Sequence, residues 1–112
     1  MVREVHVELI TEQVKEMCID VNYSLSDDMI DALNLANKKE TSELGKNVLD
    51  QLQENLEIAK RDRIPICQDT GMAVVFLQVG QDVHLAGGSL EDAVNEGVRQ
   101  GYQEGYLRKS VV

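Results

Sequence analysis

Apolar positions recur at helical spacing three times before the chain's single proline, Pro65, and the pattern then changes twice. Ile10, Val14, Met17, Cys18 and Val21 form one stripe, opposed by Glu12, Gln13, Lys15, Glu16 and Asp20, which predicts an amphipathic helix from about Glu8 to Asn22. Cys18 lies on the apolar stripe and reads as core. Asn22-Tyr23-Ser24-Leu25-Ser26 connects to a second helix, capped by Ser26 with Asp27 and Asp28 in its first turn. Its apolar face is Met29, Ile30, Leu33 and Ala36 or Asn37, and Asn37-Lys38-Lys39-Glu40 closes it. Thr41 or Ser42 caps a third helix striped by Leu44, Val48, Leu52, Leu56 and Ala59 and ending near Arg63.

After the proline the period shifts. Met72-Ala73-Val74-Val75-Phe76-Leu77-Gln78-Val79 is almost continuously apolar, the signature of a strand buried on both faces. Gly80-Gln81-Asp82 then offers a turn into a short strand from Val83 to Ala86, a hairpin pattern. Gly87-Gly88 breaks that strand, and Ser89 with Asp92 resembles a capping box, so a fourth helix starts at about Leu90. Ala93, Gly97, Gly101 and Gly105 are four apart on it. Each interior glycine costs up to ~1 kcal/mol of helix stability against alanine, so the seam predicts close approach of another helix or strand, from this chain or a second subunit. The predicted fold class is α+β, mostly helical: three amphipathic helices, a small strand pair, then a glycine-seamed helix.

Size and charge narrow this picture. A chain of 112 residues and 12.5 kDa predicts one domain, spanning 1–112. A net charge of −9 argues against nucleic acid or an anionic membrane as partner. The longest apolar run is strand-sized, far from the ~20 residues of a membrane span. Two distant cysteines without a secretory leader predict free thiols and a cytoplasmic location.

Chemistry concentrates where the third helix stops. Pro65 fixes its own φ and biases Ile64 away from the helical region, so Cys67 falls on irregular backbone. An amide, a carboxylate, a hydroxyl and a glycine follow it in Gln68-Asp69-Thr70-Gly71. These four have little reason to pack together in a core. A cysteine there is either a small hydrophobe or a soft thiolate ligand, and the polar neighbours favour the second.

Pro65-Ile66-Cys67-Gln68-Asp69-Thr70-Gly71 resembles the cluster-binding motif of the class I, iron-sulfur-dependent fumarate hydratases and the related L-tartrate dehydratases, on their α-type portion. Gly87-Gly88-Ser89, the glycine-interrupted helix and Tyr106-Leu107-Arg108-Lys109-Ser110 occur in that family in the same order, so the resemblance spans most of the chain. It implies a hydro-lyase that interconverts fumarate and malate by reversible addition of water, with tartrate dehydration as the alternative within the family. It further implies a 4Fe-4S cluster acting as Lewis acid, with Cys67 as one of three cysteine ligands. By the same resemblance Gln68 and Asp69 contact the substrate and Asp69 also serves acid-base catalysis, while Arg108, read near the end of the fourth helix, grips a substrate carboxylate. Thr70 and Gly71 take structural roles, a hydroxyl capping local backbone and a glycine free to adopt positive φ.

One site thiol cannot build a cubane held by three. The expected partners are therefore a dicarboxylate, the remainder of an α portion and a β subunit or domain, in a homo- or hetero-oligomer. The chain reads as the N-terminal portion of a larger fumarase-type α subunit, and the lack of a helix stop signal from Leu107 to Val112 reads as truncation. The competing hypothesis is a non-catalytic helical assembly module in which Cys67 is merely structural.

Overall fold

A computed structural model describes residues 1–110, in the order β1 (Arg3–His6), α1 (Val7–Tyr23), α2 (Asp27–Lys39), α3 (Glu43–Asp62), β2 (Val83–Ala86) and α4 (Leu90–Glu104). The α+β class and the four helices agree with the sequence pattern. The chain divides into two compact units, one of Met1–Asp20 with Gln68–Val112 and one of Val21–Cys67.

In the first unit α1 and α4 pack through the glycine seam. A Cβ built on Gly97 would lie 2.7 Å from the Thr11 carbonyl oxygen and 2.7 Å from Val14 Cβ, and one on Gly101 would lie 2.9 Å from Cys18 Cβ and from the Lys15 carbonyl oxygen. The partner pressed on the seam is thus the chain's own first helix. Thr11 Oγ1 donates to the Ala93 carbonyl at 2.8 Å, and Lys15 Nζ pairs with Glu104 at 3.2 Å, tying both ends of the crossing. Val7, Val14, Cys18, Ala93, Tyr102 and Leu107 are buried, whereas Met17 and Val21 of the expected stripe are exposed. Burial pushes the Cys18 thiol and the Tyr102 phenol above their usual ranges. Cys18 is core.

The strand pair forms with a different partner from the one expected. β2 pairs in parallel with β1, in the register Arg3↔Val83 to His6↔Ala86, not with Met72–Val79 in a hairpin. The turn itself exists, since Val83 N–H donates to the Gly80 carbonyl at 3.2 Å. What fails is the ladder before it: residues 72–79 have no regular secondary structure and every one is exposed. A strand apolar on both faces needs neighbours on both edges and layers on both sides. No such neighbours occur among the described residues. Only Val5-His6-Val7 alternates, so the local signal for β1 is weak and the strand is set by its pairing with β2.

The glycines that adopt positive φ are Gly87 (93°) and Gly88 (154°), and Gly71 is not among them. At Gly87 the requirement is double, because a Cβ there would also stand 2.2 Å from His6 Nε2.

In the second unit, α2 and α3 are joined by a polar ladder. Asn37 Nδ2 donates to Asp50 at 2.7 Å and to Gln53 Oε1 at 2.8 Å, and Gln53 Nε2 donates to Asn34 Oδ1 at 2.6 Å. Glu40 Oε1 accepts from the amides of Thr41 and Ser42, each at 2.9 Å, and Ser42 Oγ accepts from Gly45 N–H at 3.2 Å to cap α3. Ser26 holds N-cap geometry without a side-chain cap bond, its hydroxyl donating to Asp28 instead.

Candidate functional site

The irregular segment after α3 starts from a left-handed residue. Arg63 sits at φ 55°, ψ 53°, and its amide and that of Ile64 both reach back to the Ala59 carbonyl, the paired bonds that close a helix before an αL reversal. The Arg63 guanidinium lies 5.0 Å from the centroid of the Tyr23 ring, a cation–π contact that offsets part of the cost of αL in a non-glycine residue. The helix thus stops at Asp62, two residues before Ile64, and Pro65 prevents its resumption.

The chain is then clamped immediately before Cys67. Ile66 N–H donates to the Asn22 carbonyl at 2.8 Å, and the Ile66 carbonyl accepts from Asn55 Nδ2 at 2.9 Å. Both backbone groups of one residue are fixed by two different helices. Cys67 follows as an exposed free thiol. Its placement comes from Asn22 and Asn55, neither of which stands out in the sequence.

Gln68, Asp69 and Arg108 belong to the first unit. Thr70, 5% exposed, is its buried polar anchor, and Thr70 Oγ1 donates to the Arg108 carbonyl at 3.1 Å. The hydroxyl therefore bonds a residue 38 positions away rather than local backbone as expected. This bond brings the end of Gln68-Asp69-Thr70 against the backbone of Arg108.

Arg108 itself is not on the final helix. α4 ends at Glu104, Tyr106 turns into the left-handed region at φ 56°, and Leu107 N–H closes on the Tyr102 carbonyl at 3.0 Å. The stop signal lies in Gly105-Tyr106, ahead of the stretch where its absence was read; Val111 and Val112, part of that reading, lie outside the described residues. Leu107 is buried at 4% exposure, so Arg108 projects from a segment anchored by Leu107 on one side and by Thr70 at its carbonyl.

Among the described residues, the side chains of Cys67, Gln68, Asp69, Arg108 and Lys109 are exposed and make no hydrogen bond or ion pair. A thiol, an amide, a carboxylate and a guanidinium on anchored backbone with no internal partner are free to bind something external. They do not amount to a metal centre, because no cluster of three or more His, Cys, Asp or Glu side chains able to hold a metal exists among the described residues. The donor set fits one ligand of an iron-sulfur cluster, Cys67, and not a complete site.

The anchor makes a direct prediction. Thr70→Val keeps the shape and removes the donor, so it should destabilise the first unit by about 1 kcal/mol and speed amide exchange from Leu107 to Ser110, while Thr70→Ser should behave as the parent. Unchanged exchange in Thr70→Val would show that the hydroxyl does not hold this segment.

Comparison with known proteins places this arrangement. The family model described as fumarate hydratase (Fumerase) matches residues 11–112. A Methanocaldococcus jannaschii protein bearing the name of an L(+)-tartrate dehydratase alpha subunit is 36% identical over 104 residues, 92% of this chain and 36% of that protein. The L(+)-tartrate dehydratase alpha subunit of Escherichia coli is 29% identical over 106 residues, 95% of this chain and 35% of that one. The chain thus spans about a third of the length of the curated relatives it matches. With the family model covering residues from 11 onward, across α1 to α4 and both anchored segments, the chain belongs to the fumarate hydratase (Fumerase) family, on the N-terminal part of its alpha-type sequences.

Proposed function

We propose that this chain is the N-terminal portion of the α part of a 4Fe-4S-dependent hydro-lyase that interconverts fumarate and malate by reversible hydration. The observation that carries the reading is the exposed, unpartnered Cys67-Gln68-Asp69 held on clamped backbone within the stretch that the family model covers. In this reading Cys67 supplies one thiolate, and the other ligands come from polypeptide beyond the matched third of the relatives. When bound, the cluster supplies a Lewis-acidic iron. Gln68 and Arg108 bind substrate carboxylate, and Asp69 orients the substrate or relays the proton that is added to or removed from carbon. L(+)-tartrate is the second reading, favoured by the names of both relatives reported above.

The test uses a fusion in which residues 1–112 replace the matched third of the Methanocaldococcus jannaschii alpha subunit, assembled with its partner subunit and reconstituted anaerobically with iron and sulfide. Iron content, visible absorbance, fumarate hydration and tartrate dehydration are read together. Cys67→Ser should lose the cluster absorbance, and Cys18→Ser should keep it. Full cluster content in Cys67→Ser would exclude the ligand role and favour the assembly-module reading.

By itself, the 112-residue chain is expected to hold no stable cluster and to show no turnover, because one accessible thiol cannot replace three. Hydratase turnover by this polypeptide alone would contradict that expectation.

A further inference from the structure

The segment from Met72 to Val79 is the part of the first unit whose chemistry and surroundings disagree most. It is almost continuously apolar, yet every residue is exposed, with Phe76 at 91%, Met72 at 71% and Val74 at 68%. At a period of two, Met72, Val74 and Phe76 would share one face of a strand, and Ala73, Val75, Leu77 and Val79 the other. Among the described residues no backbone hydrogen bond reaches this run, so its amides and carbonyls are as unpartnered as its side chains.

Those two deficits together select the occupant. An apolar ligand or a lipid surface would cover the side chains and leave the backbone donors and acceptors unsatisfied. Only adjoining strands satisfy both. A second copy pairing edge to edge through this run would form a two-stranded ribbon with an apolar face still open, and such a ribbon is marginal in water. The existing sheet is equally short of strands, β1–β2 being two-stranded. The relatives carry roughly two thirds of an alpha subunit beyond what this chain matches, since 36% and 35% of their lengths are covered.

We infer that Met72–Val79 is an interaction strand, taken up in the interior of a sheet whose other strands come from polypeptide of the kind that makes up the unmatched two thirds of those alpha subunits. This rests on the reading of the chain as one part of such an assembly. It assigns the run a partner, a mode of binding and two buried faces, none of which follows from the site chemistry.

Hydrogen–deuterium exchange on the fusion described above, without cluster or substrate, tests it. In the 112-residue chain alone, residues 72–79 should exchange as unstructured backbone; in the fusion they should slow by about a hundredfold or more, as interior strands do. Phe76→Asp should leave the helical circular dichroism and melting midpoint of the chain alone unchanged, and should abolish protection of the run in the fusion. Rapid exchange of 72–79 in a fusion whose α1 and α4 are protected would overturn the inference. If the fusion fails to fold, the aligned segment of the intact Methanocaldococcus jannaschii alpha subunit is measured instead, and rapid exchange there overturns it equally. Protection in the chain alone that rises with concentration would assign the surface to a second copy and overturn the stated occupant. Failure here is separable from failure of the hydro-lyase reading: protection without turnover in the reconstituted enzyme sinks only the latter, and turnover with an unprotected run sinks only the former.

Discussion

Gly97→Ala is expected to destabilise the first unit by about 2 kcal/mol, although the same change in an exposed helix would stabilise by up to ~1 kcal/mol. The new methyl would meet the Thr11 carbonyl oxygen and Val14 Cβ at 2.7 Å each. Real Cβ contacts essentially never fall below 3.0 Å and ordinary ones begin near 3.4 Å, so α1 and α4 must separate by several tenths of an ångström along their crossing. Neither obstacle can swing away. One is backbone, and the other is the first carbon of a β-branched side chain that is stiff in a helix. Separation would in turn stretch the Thr11–Ala93 bond and loosen the cover over Val14 and Cys18. In a domain of this size each kcal/mol lowers the melting midpoint by roughly 4–8 °C. Val14→Ala should not rescue the variant, because Val14 Cβ and the Thr11 carbonyl both remain. Asn95→Ala, on the exposed side of the same helix, is the control and should be neutral or slightly stabilising. An unchanged or higher melting midpoint for Gly97→Ala would mean that the helices are not in contact at this seam.

Helical structure was legible because it is written locally. Stripes at 3.6-residue spacing, Ser42, Ser89 and the block at Pro65 fix α1 to α3 and the start of α4 within a residue or two, and the costly glycines announced a close approach, whereas α4 ends about four residues before the expected point. The partner at the seam was open until the structure supplied α1, since pairing of helices 80 residues apart leaves no local mark. The strands were harder for the same reason. A ladder belongs to two segments, and β1 pairs with β2 across most of the chain. Met72–Val79 has the composition of an interior strand and lacks its neighbours, so the pattern was read correctly as chemistry and wrongly as local conformation. Within the candidate site, Cys67, Gln68, Asp69 and Arg108 were visible as residues. Their supports were not: Asn22, Asn55 and Leu107 are ordinary in sequence, and the non-local bond from Thr70 to the Arg108 carbonyl appears only in three dimensions. Arg108 also moved from the helix to the segment beyond it, because Tyr106 takes a left-handed turn that a tyrosine rarely adopts.

That relocation strengthens the prediction for Arg108. As the last residue of a helix, its guanidinium would have an ordinary role beside the C-terminal dipole. Four residues past Glu104, with Leu107 buried and its own carbonyl fixed by Thr70, that role is gone, and the guanidinium makes no ion pair among the described residues. A guanidinium presents two coplanar N–H donors that match a carboxylate bidentately, whereas an ammonium offers a single mobile point charge. Under the proposed function, Arg108→Lys in the assembled, reconstituted fusion should therefore cost about 1.5 to 3 kcal/mol of transition-state binding, the range for hydrogen bonds to charged groups. This corresponds to a loss in kcat/KM of roughly 10- to 150-fold. Lys109→Arg should change little, because Lys109 lacks the anchoring that holds Arg108 at its carbonyl. The comparison is made at equal iron content, so that loss of cluster cannot imitate loss of substrate contact. Thr70→Val in the same enzyme should lower kcat/KM by less than Arg108→Lys, since it loosens the arginine without removing it. If Arg108→Lys retains the parental kcat/KM, Arg108 is a solvated surface cation and the carboxylate of the substrate is held by residues elsewhere in the assembly.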